Sequence, residues 1–268
     1  MRIALKLAYV GTDYYGFQIQ PYLPTIEGEL FKALRTLNII KDPKNARYIA
    51  SGRTDKGVHA IGNVIAFNTD NPKLAIPRVI NSKLPDSIIT WARAEVQNNF
   101  NPRFDALYRE YVYILYGMHG KEKIMQSASK LLIGTHDFAN FVTQNKERNT
   151  IRTIYGINIH REREFILINI KANSFMWNMV RKIVTALTLI SNGIKDEEWL
   201  SKMLNLREYR EGLESAPEYG LILKKVEYSN IKWIEDEYSK KRAYKKIHNL
   251  FLLHSVMSKS LEVLKKSF

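Results

Sequence analysis

Along the first nine residues Ile3, Leu5, Leu7 and Tyr9 alternate with smaller or charged positions. This period of two predicts a half-buried strand. A loop from Val10 to Gln18 follows. Thr25 then stands where an N-cap is expected, ahead of Ile26, Leu30, Leu34 and Leu37 at helical spacing. A strand is expected around Val64–Phe67, a short helix over residues 77–83, and a turn at Leu84-Pro85-Asp86 leading into a strand over Ile88–Val96. In the second half Arg109–Tyr116, Ile151–Ile159, Phe165–Ile170 and Leu221–Tyr228 read as strands. Met176, Met179, Val180, Ile183, Val184, Leu187 and Ile190 mark one helical face, with Gly193 as a stop signal. Mixed elements in similar order in both halves predict an α+β architecture with mostly antiparallel sheet.

The halves are taken as residues 1–105 and 106–228. Residues 229–268 differ, holding nine Lys/Arg against four Asp/Glu. There Ile247, Leu250, Phe251, Leu253, His254 and Met257 line one helical face. A basic helical extension packed on the body is expected, with a basic arm touching RNA as the alternative.

Composition narrows the function. The chain has 268 residues, 45% of them hydrophobic, enough for one large domain or two small ones. Lys plus Arg number 41 against 27 Asp plus Glu, a formal charge of +14. Such an excess is the electrostatic footprint of a nucleic-acid partner. Cysteine is absent, which excludes disulfides, thiolate catalysis and Cys-ligated zinc. The six histidines form no HxH or HxxxH pair, so no metal site is expected. The longest apolar runs, such as Ile183–Ile190, fall far short of the ~20 residues of a bilayer span. The chain enters a strand pattern at once, without an apolar h-region or cleavage site, so no membrane association and a cytoplasmic location are expected. No G-x-G-x-x-G or P-loop pattern is present, which argues against an RNA methyltransferase carrying a nucleotide cofactor.

Chemistry concentrates in Ser51-Gly52-Arg53-Thr54-Asp55-Lys56-Gly57-Val58-His59-Ala60. Asp55 lies between Arg53 and Lys56, and nearby positive charge favours the carboxylate, so Asp55 is expected to stay ionised. Gly52 and Gly57 let the backbone turn sharply and let another molecule approach. An ionised carboxylate on such a loop suits a nucleophile or a general base. A plain surface turn is the competing reading.

Several segments converge on one family. "GRTDKGVHA", "YVGTDYYGFQIQ" (Tyr9–Gln20), "NSKLP" (Asn81–Pro85), "RFDALYREYVY" (Arg103–Tyr113), "GTHDFANF" (Gly134–Phe141), "RTI" (Arg152–Ile154) and "KANSFMWNMVRKIV" (Lys171–Val184) occur in one order. Through them the chain, up to about Tyr228, resembles the tRNA pseudouridine synthase A family. It departs from the family pattern at Val10, at Phe17 and at Pro217-Glu218-Tyr219-Gly220-Leu221.

The resemblance implies a pseudouridine synthase fold, two α/β subdomains with the active-site cleft between them. It implies isomerisation of uridine in tRNA, at positions 38–40 of the anticodon stem-loop, without cofactor or metal, by a homodimer. Asp55 matches the catalytic aspartate, which attacks the nucleotide or stabilises a glycal-like intermediate. Arg181 matches the arginine paired with it. Tyr111 matches the active-site tyrosine, whose ring stacks on the everted uracil. Tyr113, on the same strand face, is read as sheet packing. Arg53 orders the loop or holds phosphate; Lys56 and His59 are RNA contacts or loop supports. A synthase with another RNA target and a non-catalytic RNA-binding protein on the same scaffold are the alternatives.

Overall fold

A computed structural model describes residues 1–143, 149–205 and 209–268. In chain order the elements are β1 (Arg2–Tyr9), α1 (Ile26–Thr36), β2 (Ile49–Ala50), β3 (His59–Asn68), α2 (Pro77–Ile80), β4 (Ile88–Val96), β5 (Ala106–Tyr116), α3 (Glu122–Ser129), β6 (Gly134–Asp137), β7 (Ile151–Glu162), β8 (Phe165–Ala172), α4 (Met179–Ser191), α5 (Glu197–Met203), β9 (Leu221–Tyr228), β10 (Ile234–Glu235) and α6 (Glu237–Lys265). The α+β reading holds. The strands form one sheet in the order β10-β4-β1-β3-β9-β5-β8-β7-β6, with β2 beside β3.

Within each half neighbouring strands run antiparallel, in the orders β4-β1-β3 and β9-β5-β8-β7-β6. β3–β9 is the one parallel pair among the described strands, and it joins them through His59–Ile222 and Ala60–Leu223. The seam is tight: a Cβ on Gly62 would sit 2.4 Å from the Lys224 carbonyl oxygen. β3 begins where the Asp55 loop ends, so the sheet delivers that loop to the line where the halves meet.

The expected helices owe their positions to their apolar faces. Thr25 caps α1 by accepting a hydrogen bond from Gly28 N, and Ile26, Leu30 and Leu34 are buried in the core. α4 buries Met179, Ile183, Val184 and Leu187 and packs with α3 and β5 of the second half. It starts later than the Met176 periodicity suggests, because Asn178 is left-handed (φ 62°) and turns the chain immediately before the first helical residue. Gly193, at φ 72°, ends it as expected. The helix expected over 77–83 is one turn, α2, followed by bonded turns from Asn81 to Lys83.

Residues 229–268 return to the first half. β10 pairs with β4, and Lys6 lies against the rings of both Trp91 and Trp233 (5.0 and 4.8 Å). Asp236 caps α6, and buried Ser239 accepts a hydrogen bond from Asn81 Nδ2 at 3.0 Å. The helix is present, but packing along its length is corrected: every residue from Phe251 to Phe268 is exposed. Only the start of α6 has a sheet to lie on. Among the described residues no helix is long and apolar enough to cross a membrane.

Because the seam leaves no space for a side chain, Gly62→Ala is expected to lower unfolding free energy by about 1–3 kcal/mol. Urea unfolding checks this, and an unchanged midpoint would refute the close approach.

Candidate active site

The Asp55 loop is held from below by buried polar groups. Tyr9 Oη is hydrogen-bonded to Thr54 Oγ1 (2.9 Å) and accepts from Asn63 Nδ2 (3.1 Å). Ser51 Oγ donates to Asn63 Oδ1 at 2.7 Å. Asn63 is fully buried, so each of these atoms depends on its partners and not on water. Arg109, also buried, donates to the Ser51, Arg103 and Asn173 carbonyls and ties the loop to β5.

The Tyr9–Gln20 segment supports the loop from the other side. Phe17 N donates to the Thr54 carbonyl (2.9 Å) and Gly57 N to the Tyr14 carbonyl (3.3 Å). Gly16 adopts φ 100°, and a Cβ there would lie 3.0 Å from the Thr54 carbonyl oxygen. At Gly11 a Cβ would lie 2.1 Å from that of Val58. The glycines let two loops pack backbone to backbone.

Above this support lies a cleft of about 1120 Å³ whose wall includes Asp55, Tyr111 and Arg181. Asp55 Oδ2 is 3.7 Å from Arg181 Nη1, and its Oδ1 accepts a hydrogen bond from Trp177 Nε1 at 2.9 Å. Arg181 is shared: its Nη2 is 3.1 Å from Glu218 Oε2, its Nη1 donates to Asn178 Oδ1, and its Nε donates to the Ala216 carbonyl. Tyr111 is buried, its ring edge-on to Phe175 with centroids 5.1 Å apart. Burial pushes its phenol up to about 12, so it stands neutral at neutral pH. Tyr113 donates to the Pro217 carbonyl (2.7 Å) and packs beneath Gly220, the structural part expected of it.

One electrostatic expectation is corrected. The flanking cations Arg53 and Lys56 do not hold Asp55 down. Burial pushes its carboxyl above the ordinary 3.8; Arg181 and the Trp177 hydrogen bond oppose this, and Glu218 adds to it. Arg53 is exposed on the cleft wall. Lys56 lies 4.3 Å over the Tyr15 ring, likewise on the wall. His59 Nδ1 accepts the Gly11 N–H at 3.0 Å, and burial lowers its basicity. It faces the supporting loop as an uncharged ring.

Trp177 and Glu218 were not singled out from the sequence. Trp177 stands inside the Lys171–Val184 block, four residues before Arg181, but nothing in the chain order tells that its N–H reaches Asp55. Basic side chains are concentrated on the cleft wall: Arg53, Lys56, Arg103, Arg109, Arg152 and Arg181. Phe104, 76% exposed, lies on the same wall. No group of three or more His, Asp or Glu that would hold a metal ion occurs among the described residues.

A family profile described as "tRNA pseudouridine synthase" matches residues 6–105 and 128–229. The chain belongs to the tRNA pseudouridine synthase family. It is thereby an isomerase with the pseudouridine synthase fold. A tRNA pseudouridine synthase A of Methanosarcina acetivorans is 54% identical over 98% of each chain. That of Archaeoglobus fulgidus is 40% identical over 100% of this chain and 98% of its own. That of Pyrococcus furiosus is 40% identical over 96% and 95%. The curated relatives therefore run through the region of α6 as well. Within this tRNA pseudouridine synthase family chain, five of the seven sequence blocks that carry the resemblance line one cleft, and Asn81–Pro85 and Gly134–Phe141 lie outside it.

Two outcomes are expected from the geometry. Asn63→Ala strips partners from the Tyr9 and Ser51 hydroxyls and lowers unfolding free energy by about 2–4 kcal/mol, readable in denaturant; a change near zero would refute the network. The Asp55 carboxyl, followed by carbon-13 NMR, titrates above 3.8, and Glu218→Gln moves its midpoint down. Since the folded value is raised, the native state binds the extra proton between 3.8 and that midpoint, and stability falls as pH rises through this window. Asp55→Asn is therefore expected to raise the thermal midpoint at neutral pH.

Proposed function

We propose that this protein converts uridine to pseudouridine at positions 38–40 of the tRNA anticodon stem-loop, with Asp55 as nucleophile on an everted nucleotide. The observation that carries the reading is Asp55 itself: a carboxylate half-buried in a cleft of about 1120 Å³, facing one guanidinium and one indole N–H. A covalent carboxylate intermediate splits one difficult exchange into two easier ones.

In this reading an Asp55 oxygen bonds to C1′ as the C1′–N1 bond breaks, and the electron pair leaves with uracil. The base turns. C5 then bonds to C1′, the carboxylate is expelled, C5 gives up its proton and N1 takes one up. Atoms and charge balance without cofactor or metal. Arg181 holds the carboxylate in its anionic form. Tyr111 presents its ring edge or face to the base, a contact of about 1–3 kcal/mol for stacked nucleobases. Its neutral phenol serves as a relay for the C5 proton and not as the base that removes it.

Eversion costs a few kcal/mol and least where pairing is weak, as at the lower end of a stem. The basic cleft and the net charge of +14 support RNA binding and imply strong salt dependence. Arg53 and Lys56, exposed on the wall, are assigned to phosphate contact; His59 supports the loop. The relatives' names support tRNA as substrate. The homodimer implied by the resemblance, and work in the cytoplasm where tRNA is modified, belong to the same proposal. A sedimentation run giving only monomer at working concentration counts against the dimer.

Purified full chain is expected to form pseudouridine in unmodified tRNA without additive, mapped at positions 38–40 by carbodiimide-blocked reverse transcription. Asp55→Asn abolishes turnover and leaves tRNA affinity within about threefold. Modification confined to other sites overturns the target; near-normal turnover by Asp55→Asn overturns the nucleophile.

A further inference from the structure

We propose that Trp177 is a positioning residue for Asp55: its indole N–H fixes Oδ1 of the carboxylate, so that Oδ2 is the oxygen that attacks. The inference rests on the reading of Asp55 as nucleophile and extends it to a residue outside the expected set.

The two oxygens of Asp55 are held differently. Oδ1 accepts the indole N–H at 2.9 Å. Oδ2 faces Arg181 Nη1 at 3.7 Å, within ion-pair range but beyond hydrogen-bond distance. Arg181 is meanwhile engaged by Glu218, Asn178 and the Ala216 carbonyl. The directional bond on Asp55 thus comes from tryptophan, and the cation supplies field more than geometry. An indole N–H donates and cannot accept. It matches the acceptor-only anionic carboxylate and cannot turn round to accept a hydrogen bond from the protonated acid, as a hydroxyl or water can.

The backbone shows how the indole is set. Asn178, next to Trp177, takes the left-handed conformation with φ 62°. Its amide spans the site, donating from Nδ2 to Thr143 Oγ1 and accepting at Oδ1 from Arg181 Nη1, both at 3.0 Å. One turn of chain therefore supplies the indole, the guanidinium and the brace between them. Trp177 itself is 49% exposed, more than a ring placed for core packing would be. Its burial does not account for its size, whereas its hydrogen bond does. The direction of the Asp55 carboxyl agrees, since the indole is among the groups that oppose the rise caused by burial.

Trp177→Phe keeps an aromatic ring and removes the N–H; Trp177→Ala removes both. Hydrogen bonds to charged groups are worth about 1.5–3 kcal/mol, so the single-turnover rate on saturating tRNA at neutral pH is expected to fall about tenfold to a hundredfold in both variants. Thermal midpoint and tRNA affinity of Trp177→Phe stay near the parent values. In carbon-13 NMR, which needs no turnover, the Asp55 midpoint of Trp177→Phe moves up. A Trp177→Phe protein with parental rate and parental midpoint overturns the proposal. So does a loss confined to Trp177→Ala, which would make the ring a packing or base-contacting group. If the parent protein forms no pseudouridine in any RNA, the functional reading fails, while the NMR arm still decides whether Trp177 holds Asp55.

Discussion

The arrangement depends on keeping one carboxylate anionic in a place that disfavours charge. Desolvation pushes Asp55 toward its neutral form, and Arg181 with Trp177 pushes back. The balance is local, but the means of holding it are spread over the chain. Asp55 comes from the loop before β3, while Trp177 and Arg181 come from the entry to α4, more than a hundred residues later. The 3.7 Å ion pair and the 2.9 Å indole hydrogen bond on Asp55 both run between the two halves. A site of this kind therefore needs two halves that cannot drift apart.

The sheet meets that need. Two sets of antiparallel strands share a short parallel seam at β3 and β9, next to the Asp55 loop. Glycine at position 62 allows the close approach, and the glycines at 11 and 16 allow the Tyr9–Gln20 segment to brace the loop. Buried Asn63 and Arg109 satisfy the polar atoms that the brace and the loop turn inward. Their packing and hydrogen bonds run to the Asp55 loop and the segments around it. They are the reason a flexible-looking stretch of Gly, Thr and Lys presents its aspartate in one orientation.

Much of this was legible in the chain. Alternation predicts β1, runs of β-branched and aromatic residues predict β4, β5, β7, β8 and β9 to within three residues of their ends, and helical spacing with a capping threonine predicts α1. The ordered blocks pointed to Asp55, Tyr111 and Arg181, which line one cleft. What was not legible has physical causes. β2, β6 and β10 are two to four residues long, too short to show a period. α3 and α5, at eight and seven residues, give two turns of pattern at most. The outward course of α6 was missed because an apolar stripe reads alike whether or not this chain covers it. The cation acting on Asp55 is not legible in the local sequence, because Arg53 and Lys56 are adjacent in sequence yet face outward, while the effective cation, Arg181, is remote. The hydrogen bond of Trp177 and the ion pair of Glu218 exist only through the fold.

The most direct test of the central claim compares two curves on the parent protein. One is the single-turnover release of tritium from C5 of labelled uridine in tRNA, measured against pH. The other is the carbon-13 titration of the Asp55 carboxyl with tRNA bound. The account requires the rate to rise with pH through the midpoint at which Asp55 ionises, itself above the ordinary carboxylate value. A rate that stays level while that carboxyl loses its proton would contradict it.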